Sequence, residues 1–381
     1  MTEIQEELGL IEEQFMLVRA GEVLRAFDEE TDTVWVIHPF LFETESKTIQ
    51  LDWENTEYRW VDPKELASYE TVPKLSETFD RVRYNPQTSL EPLTTVLRGI
   101  DELGRDRVHG ASFLGRRAVE LFSAVGKTSD ASDKDTLFSH LLFASSRLRR
   151  AQPAMANLSN LIGRLLHFAN REREAAISVV EFKRLIVERA EQILETVKEA
   201  DEDASRNTAR LLPKDGWVLT HSYSSTVLRA LELGAKSGKR FQVYATESYP
   251  GMEGKRLAND LVALGVPVKL IADSAVGSLI SKVNVVLVGA DSVLKDGSLI
   301  HKIGTRDIAV AAKRHEIPLY SACETMKFSA LDFLGEQPEI PQDIFDATRA
   351  EYISSFITEE GELDPNMVQG RIREMLKELY S

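Results

Sequence analysis

The stretch VVLVGADSVLKDGSLIHKIGT, Val285–Thr305, decides how the rest of the chain is read. Its first four residues are aliphatic without interruption, as in a strand buried on both faces of a parallel sheet. Gly289-Ala290-Asp291 follows at once and places a carboxylate at the carboxyl end of that strand, where open α/β sheets put their ligands. Lys295-Asp296-Gly297 is a turn signal. Lys302 then precedes Ile303-Gly304-Thr305, a helix start whose backbone N–H groups are an expected seat for phosphate. An aspartate after a strand more often only caps a turn, so the neighbouring segments have to decide its role.

From Leu211 onward strand and helix alternate: WVLT then a helix from Ser224, FQVYAT then a helix from Met252, VKLIA, VVLV then a helix near Arg306, and LYSA. That alternation is the mark of βαβ units and a parallel sheet. Right-handed crossovers put the strand ends THS, TES, ADS and GAD along one rim, which makes a ligand-facing rim the better reading than coincidental turn chemistry. Asp291 is the candidate acid/base and Lys302 a candidate anion partner. The HSYSS that follows WVLT has no glycine, which removes the dinucleotide fingerprint. Ser222 lies outside any Gly-x-Ser-x-Gly elbow, which weakens a serine-hydrolase reading. The residues by themselves point to a site for a phosphorylated small molecule and to nothing finer.

Two further regions precede this α/β region of residues 208–381. Residues 75–207 read as helical: FLGRRAVELFSAV sets Phe113, Leu114, Ala118, Leu121, Phe122 and Val125 on one stripe, and RLRR (Arg147–Arg150) is a solvated face. Residues 1–74 read as a small α+β unit with the strand-like runs VWVIHPFLFE and TIQL, and EYRWVDPKEL leading to a short helix. The 381 residues are 43% hydrophobic and 28% charged, with a net charge of -15, ordinary for a globular protein and unsuited to direct nucleic-acid binding. The lone Cys323 rules out an intrachain disulfide and any cysteine-rich metal site. No apolar run has the length of a membrane span, and the acidic MTEIQEELGL is no signal peptide, so a cytoplasmic protein is expected.

From about Ser89 to the end, the chain resembles the superfamily uniting the α/β/δ subunits of translation initiation factor 2B with ribose-1,5-bisphosphate isomerase and 5-methylthioribose-1-phosphate isomerase. The resemblance is carried by DRVHGAS (Asp106–Ser112), QPAMANL (Gln152–Leu158), VLTHSYSSTVLRAL (Val218–Leu231), TESYPGMEGKRLA (Thr246–Ala258), the opening stretch, and FDATRAEYISSFITEEG (Phe345–Gly361). It implies a helical domain followed by a Rossmann-like parallel-sheet domain. In the isomerases the aspartate at position 291 works with a cysteine after the first strand to move protons between C1 and C2 of an opened sugar phosphate. The resemblance places ligand-binding residues at His109, Gly110, Ala111, Gln152, Glu253, His301 and Lys302. Departures lie among them: Ser222 stands at the cysteine position, His109 and Gln152 at arginine positions, Glu253 at a glutamine and His301 at an asparagine. A serine hydroxyl is a poor proton carrier without an added base, and losing guanidinium forks weakens phosphate binding.

Thr2–Leu10 resembles the second half of a Nudix box, with VWVIHPFLFE and EYRWVDPKEL resembling the segments after it. Glu3, Glu6 and Glu7 share one helical face and are the candidate Mg²⁺ or Mn²⁺ ligands. Thr2 occupies the arginine position, and the upstream strands of a Nudix domain are missing, so the module reads as truncated. The resulting expectation is an α/β protein: a Nudix-like α+β module at 1–74, a helical domain at 75–207 and a Rossmann-like domain at 208–381. The leading function is initiation-factor-2B-like binding or regulation without isomerase activity, needing no cofactor. A homo-oligomer is expected, with YISSFIT (Tyr352–Thr358) as an apolar surface for it, and with a protein partner in translation or a phosphorylated sugar or nucleotide as ligand. The alternatives are an aldose–ketose isomerase and a Nudix hydrolase of nucleoside diphosphate derivatives.

Overall fold

The computed structural model describes residues 2–10, 14–21, 23–28, 31, 33–44, 46, 48–51, 57–83, 91–335 and 338–380. The chain divides into two compact units, Met1–Ser89 and Leu90–Leu379. The first contains α1 (Thr2–Leu8), β1 (Phe15–Ala20), β2 (Leu24–Asp28), β3 (Thr33–Ile37), β4 (Phe40–Thr44) and α2 (Leu75–Arg83). β1 pairs antiparallel with β4, and β2 with β3. His38-Pro39 splits the VWVIHPFLFE run, because proline cannot donate to a continuing ladder, and the Pro39 carbonyl instead accepts from Gly21 N–H at 2.8 Å. TIQL forms no strand; Gln50 N–H donates to the Leu8 carbonyl at 3.0 Å. α2, assigned from the sequence to the helical region, groups with this first unit, where Arg81 donates to the Val23 carbonyl at 3.0 Å.

The second unit opens with α3 (Thr94–Arg105), α4 (Ala111–Thr128), α5 (Lys134–Ala151), α6 (Ala156–Ala175) and α7 (Val179–Leu211). The starts of α5 and α7 are written locally. Asp133 accepts from Thr136 N–H at 2.8 Å and caps α5. Ser178 accepts from Glu181 N–H while Glu181 accepts from Ile177 N–H at 2.8 Å, a reciprocal cap at the head of α7. The core they enclose includes Phe122 and Phe182, both 0% exposed. Phe113 departs from the expected stripe: it is 43% exposed and turns away from this core.

The α/β part follows as β5 (Asp215–Thr220), α8 (Ser225–Lys236), β6 (Arg240–Thr246), α9 (Glu253–Ala263), β7 (Val268–Ile271), α10 (Val276–Leu279), β8 (Val285–Val288), β9 (Ser292–Val293), β10 (Leu299–Lys302), α11 (Thr305–Arg314), β11 (Leu319–Ala322), α12 (Ala330–Phe333), β12 (Phe345–Thr348), β13 (Ser355–Thr358), β14 (Gly361–Leu363) and α13 (Val368–Tyr380). The seven-stranded sheet has the order β14-β13-β11-β8-β5-β6-β7, parallel except for β14. All four residues of β8 are buried, as their unbroken apolar run requires. SFIT is the buried strand β13, between β11 and β14, and so cannot serve as the association surface expected of it. The Lys295-Asp296-Gly297 turn closes a hairpin: Leu294 N–H donates to the Ser298 carbonyl at 2.8 Å, and Gly297 takes φ +78°. β9, β10 and β12 then form a three-stranded antiparallel sheet.

The helical layer is bolted to the sheet layer by polar side chains. Asn160 donates to the carbonyls of Met326 and Phe328 at 2.8 and 2.7 Å. Ser292 donates to the Ala154 carbonyl at 2.6 Å and accepts from Ala156 N–H at 2.8 Å. Truncation in the helical core tests how much the unit depends on it. Phe182→Ala should cost about 3–5 kcal/mol, as cavity-forming aromatic truncations do, read as a lower urea midpoint with an unchanged slope.

Candidate functional site

Chain order places the site. From β5 the chain steps outward through β6 to β7, then returns to lay β8 on the other flank of β5. Crossovers therefore leave β5 and β8 in opposite directions, and the ends of those two strands open into a crevice. Ser222 lies past the end of β5 and Asp291 past the end of β8, and both line a cavity of about 360 Å³. Gly289 permits the close approach here, since a Cβ on it would sit 2.8 Å from Ser224, the N-cap of α8. Ser222 adopts φ +66°, and its N–H donates to Ser248 Oγ at 2.7 Å.

Asp291 is 9% exposed. Burial pushes its carboxyl up to about 6, against the pull of Lys327 and Lys302, while Glu253 pushes the same way as burial. A carboxyl poised there gives or takes a proton near neutral pH. Lys302 is tied to Glu253 at 2.6 Å, and both groups are largely buried. His301 Nδ1 lies 2.9 Å from Thr305 Oγ1, whose own proton goes to the Lys302 carbonyl, so His301 donates through Nδ1. His221 donates through Nε2 to the Ile303 carbonyl at 2.8 Å, and its Nδ1 meets Thr246 Oγ1 at 2.6 Å. Burial lowers both imidazoles, His301 the further, which leaves them neutral.

The helical layer supplies the opposite wall. Asp106 accepts from the N–H groups of Val108 and His109 and from His109 Nδ1, at 2.8, 2.9 and 2.7 Å. Its partial burial works upward, but the hydrogen bonds from His109 and Val108 hold the carboxyl below its ordinary value. The His109 ring stacks on Phe113 with centroids 4.0 Å apart, which accounts for Phe113 leaving the core stripe. Gly110 caps α4, and Ala111 is its first residue. Gln152 is partly diverted from the cavity, because its amide nitrogen donates to the Leu103 and Asp106 carbonyls at 2.9 and 3.0 Å and braces that loop.

Sequence reasoning missed four contributors. Lys327 lines the cavity floor and pairs with Glu324 at 3.0 Å, both groups 5% exposed. Glu324 also accepts from Ser112 Oγ at 3.0 Å, which joins the two layers below the cavity. Arg116 and Arg256 line the cavity as well. The signal for Lys327 was present, because Glu324-Thr325-Met326-Lys327 follows β11 as the other polar strand ends follow theirs. One expectation is corrected. The helix start at Gly304 is no open phosphate seat, since the Asp346 carboxylate accepts from Gly304 N–H at 2.8 Å and Arg306 N–H at 3.1 Å. β12 brings Asp346 there by pairing it with His301.

The family described as "Initiation factor 2 subunit family" matches residues 107–341. The chain belongs to the initiation factor 2 subunit family. A putative translation initiation factor eIF-2B subunit 2-like protein of Pyrococcus abyssi is 32% identical over 281 residues, 71% of this chain and 96% of the relative. Ribose 1,5-bisphosphate isomerase of Archaeoglobus fulgidus is also 32% identical, over 302 residues, 74% of this chain and 93% of that enzyme. Among solved structures, eIF-2B of Pyrococcus horikoshii OT3 aligns with TM-score 0.63 at 29% identity over 71% of this chain and 98% of that one. The 5-methylthioribose 1-phosphate isomerase of the same organism aligns with TM-score 0.60 at 25% identity over 74% and 87%. The family match lies within the second unit, and the chain's relatives include both eIF-2B proteins and isomerases.

For the first unit, Glu3, Glu6 and Glu7 fall in one helix. The side chains of Glu3 and Glu6 lie outside the described residues, and Glu7 is exposed. Among the described residues no three His, Cys, Asp or Glu side chains converge as a metal site, and no helix is long and apolar enough to cross a membrane.

The raised carboxyl of Asp291 makes a stability prediction. Its folded-state pKa of about 6 lies above the ordinary 3.8, so the folded state holds a proton that the unfolded chain releases. Stability from this group is fully present below the unfolded value and is lost as pH rises through the folded one. Asp291→Asn should therefore melt above the wild type at pH 8, with the gap closing toward pH 4.

Proposed function

We propose that this chain is a ligand-binding, regulatory member of the initiation factor 2 subunit family that does not isomerise sugar phosphates. Ser222 carries the reading. It lines the cavity with Asp291 at the position where the isomerase resemblance requires a thiol. The chain's single thiol, Cys323, gives no substitute, because it is buried beyond the end of β11 and burial pushes its ionisation far up. The neighbouring groups support the same reading: Glu253 occupies Lys302, and Gln152 commits its amide nitrogen to the backbone. Wild-type protein mixed with ribose 1,5-bisphosphate or 5-methylthioribose 1-phosphate should yield no isomerised product by NMR. Conversion of either that Asp291→Asn abolishes would replace this reading with isomerase chemistry, the alternative favoured by the near-neutral carboxyl of Asp291.

We further propose a cytoplasmic protein that self-associates. Support comes from a Chaetomium thermophilum relative solved as a tetrameric eIF2B-beta2-delta2 complex, 25% identical, with TM-score 0.64 over 75% of this chain. Light scattering at micromolar concentration should give at least a dimer mass. A monomer mass would overturn the point. For residues 1–74 we propose a Nudix-like module without hydrolysis, on the strength of its sequence resemblance and of Thr2 at the arginine position. Nucleoside diphosphate derivatives with Mg²⁺ should release no phosphate.

A further inference from the structure

α3 and α5 run side by side in the same direction. Arg147 of α5 donates to Asp101 of α3 at 2.8 Å, and a turn further on a Cβ placed on Gly104 would lie 3.6 Å from the Ala151 carbonyl oxygen. Between their carboxyl ends lies a groove of about 580 Å³, which shares only Ala151 with the lining of the strand-end cavity. Three guanidinium groups line it, from Arg105, Arg147 and Arg150, against the single carboxylate of Asp101. Two of the three come from the RLRR run whose spacing reads as a solvated face.

Arg147 is matched by Asp101. Arg105 and Arg150 are exposed, and neither has an ion-pair or hydrogen-bond partner among the described residues. Arginines in a last helical turn often serve by bonding its final carbonyls. That role is already filled at the end of α3. Gln152 donates to the Leu103 carbonyl at 2.9 Å, and Arg107 to the Gly104 carbonyl at 2.9 Å. Elsewhere on the helical layer exposed basic groups are paired, as Arg184 is with Glu188, Lys198 with Glu195 and Arg206 with Asp203. In a chain of net charge -15, two unmatched guanidinium groups facing one groove stand apart from that pattern.

The chemistry of the groove selects its occupant. Its charged groups are all exposed, so a lone oxyanion gains little from any one of them. A segment carrying several carboxylates engages them together, each contact making the next intramolecular, and the guanidinium fork matches a carboxylate. No aromatic ring lines the groove, which leaves a nucleic-acid base nothing to stack on. Asp101 repels an evenly charged phosphate backbone, whereas a peptide can set a neutral residue opposite it. We infer that the groove between α3 and α5 is a docking surface for an acidic segment of a partner protein, whose carboxylates pair with Arg105 and Arg150. The inference is independent of what fills the strand-end cavity.

The test is fluorescence anisotropy of the full chain with a labelled peptide of alternating Glu and Ser, and with the same peptide carrying Gln for Glu. Wild type should bind the Glu peptide and not the Gln peptide, and added salt should weaken the complex. Arg105→Ala and Arg150→Ala should each weaken it about threefold, as for exposed ion pairs, and the double variant about tenfold. Arg184→Ala, on α7, should leave it unchanged. Both groove positions are exposed, and an unchanged melting temperature will show that the variants fold. No binding of the Glu peptide, equal binding of the Gln peptide, or wild-type affinity in the folded double variant overturns the inference. So does displacement of the peptide by inorganic phosphate or by single-stranded RNA at equal charge concentration, which would make the groove a small-anion or nucleic-acid site.

Discussion

At the centre of the sheet, β5 pairs with β8 through Val218–Val285 and Leu219–Val286, while β6 takes the other flank of β5. This short parallel contact joins two strands whose crossovers leave in opposite directions, so their carboxyl ends cannot be covered by a connecting helix. Asp291 and Ser222 are both consequences of it. So is the glycine at position 289, without which the end of β8 would collide with the cap of α8. The helical layer closes over the crevice through Asn160 and Ser292, whose hydrogen bonds reach the backbone on the far side.

The polar floor is an expensive structure to maintain. Lys302, Lys327, Glu324 and Asp291 are each at least nine-tenths buried, with Glu253 beside them. Burying such charges costs several kcal/mol per ion before pairing offsets it, and an apolar replacement of similar volume is often as stable. The pairs are therefore poor candidates for a purely stabilising role. They are better understood as setting the field at the strand ends, where Asp291 is held at the balance between desolvation, two ammonium groups and a neighbouring carboxylate.

Alternating apolar runs and polar strand ends were enough to identify the parallel sheet and to place Ser222 and Asp291 at strand ends that line one cavity. The reason is physical: a strand covered on both faces must be continuously apolar, and its carboxyl end must be polar where it meets solvent or ligand. The helical region was legible as such, although Phe113 was misplaced, because helical spacing alone cannot tell a core residue from one stacked on a loop histidine. The three-stranded sheet of β9, β10 and β12 escaped notice, since strands of two to four residues carry no usable period.

What only the tertiary structure decided is the partner of each polar group. Asp291 and Lys302 were recognisable from their place after a buried strand. That Glu253, from a helix 49 residues earlier in the chain, would hold that lysine was not. Asp346 lies 42 residues beyond Gly304 and takes the helix start that the sequence offered to phosphate. Gln152 braces a loop 46 residues away from it in sequence. Local sequence determines which segments become strands and helices, because periodicity and capping act over a few residues. Which carboxylate neutralises which lysine depends on distant segments meeting in a low-dielectric crevice, and that meeting exists only once the chain has folded.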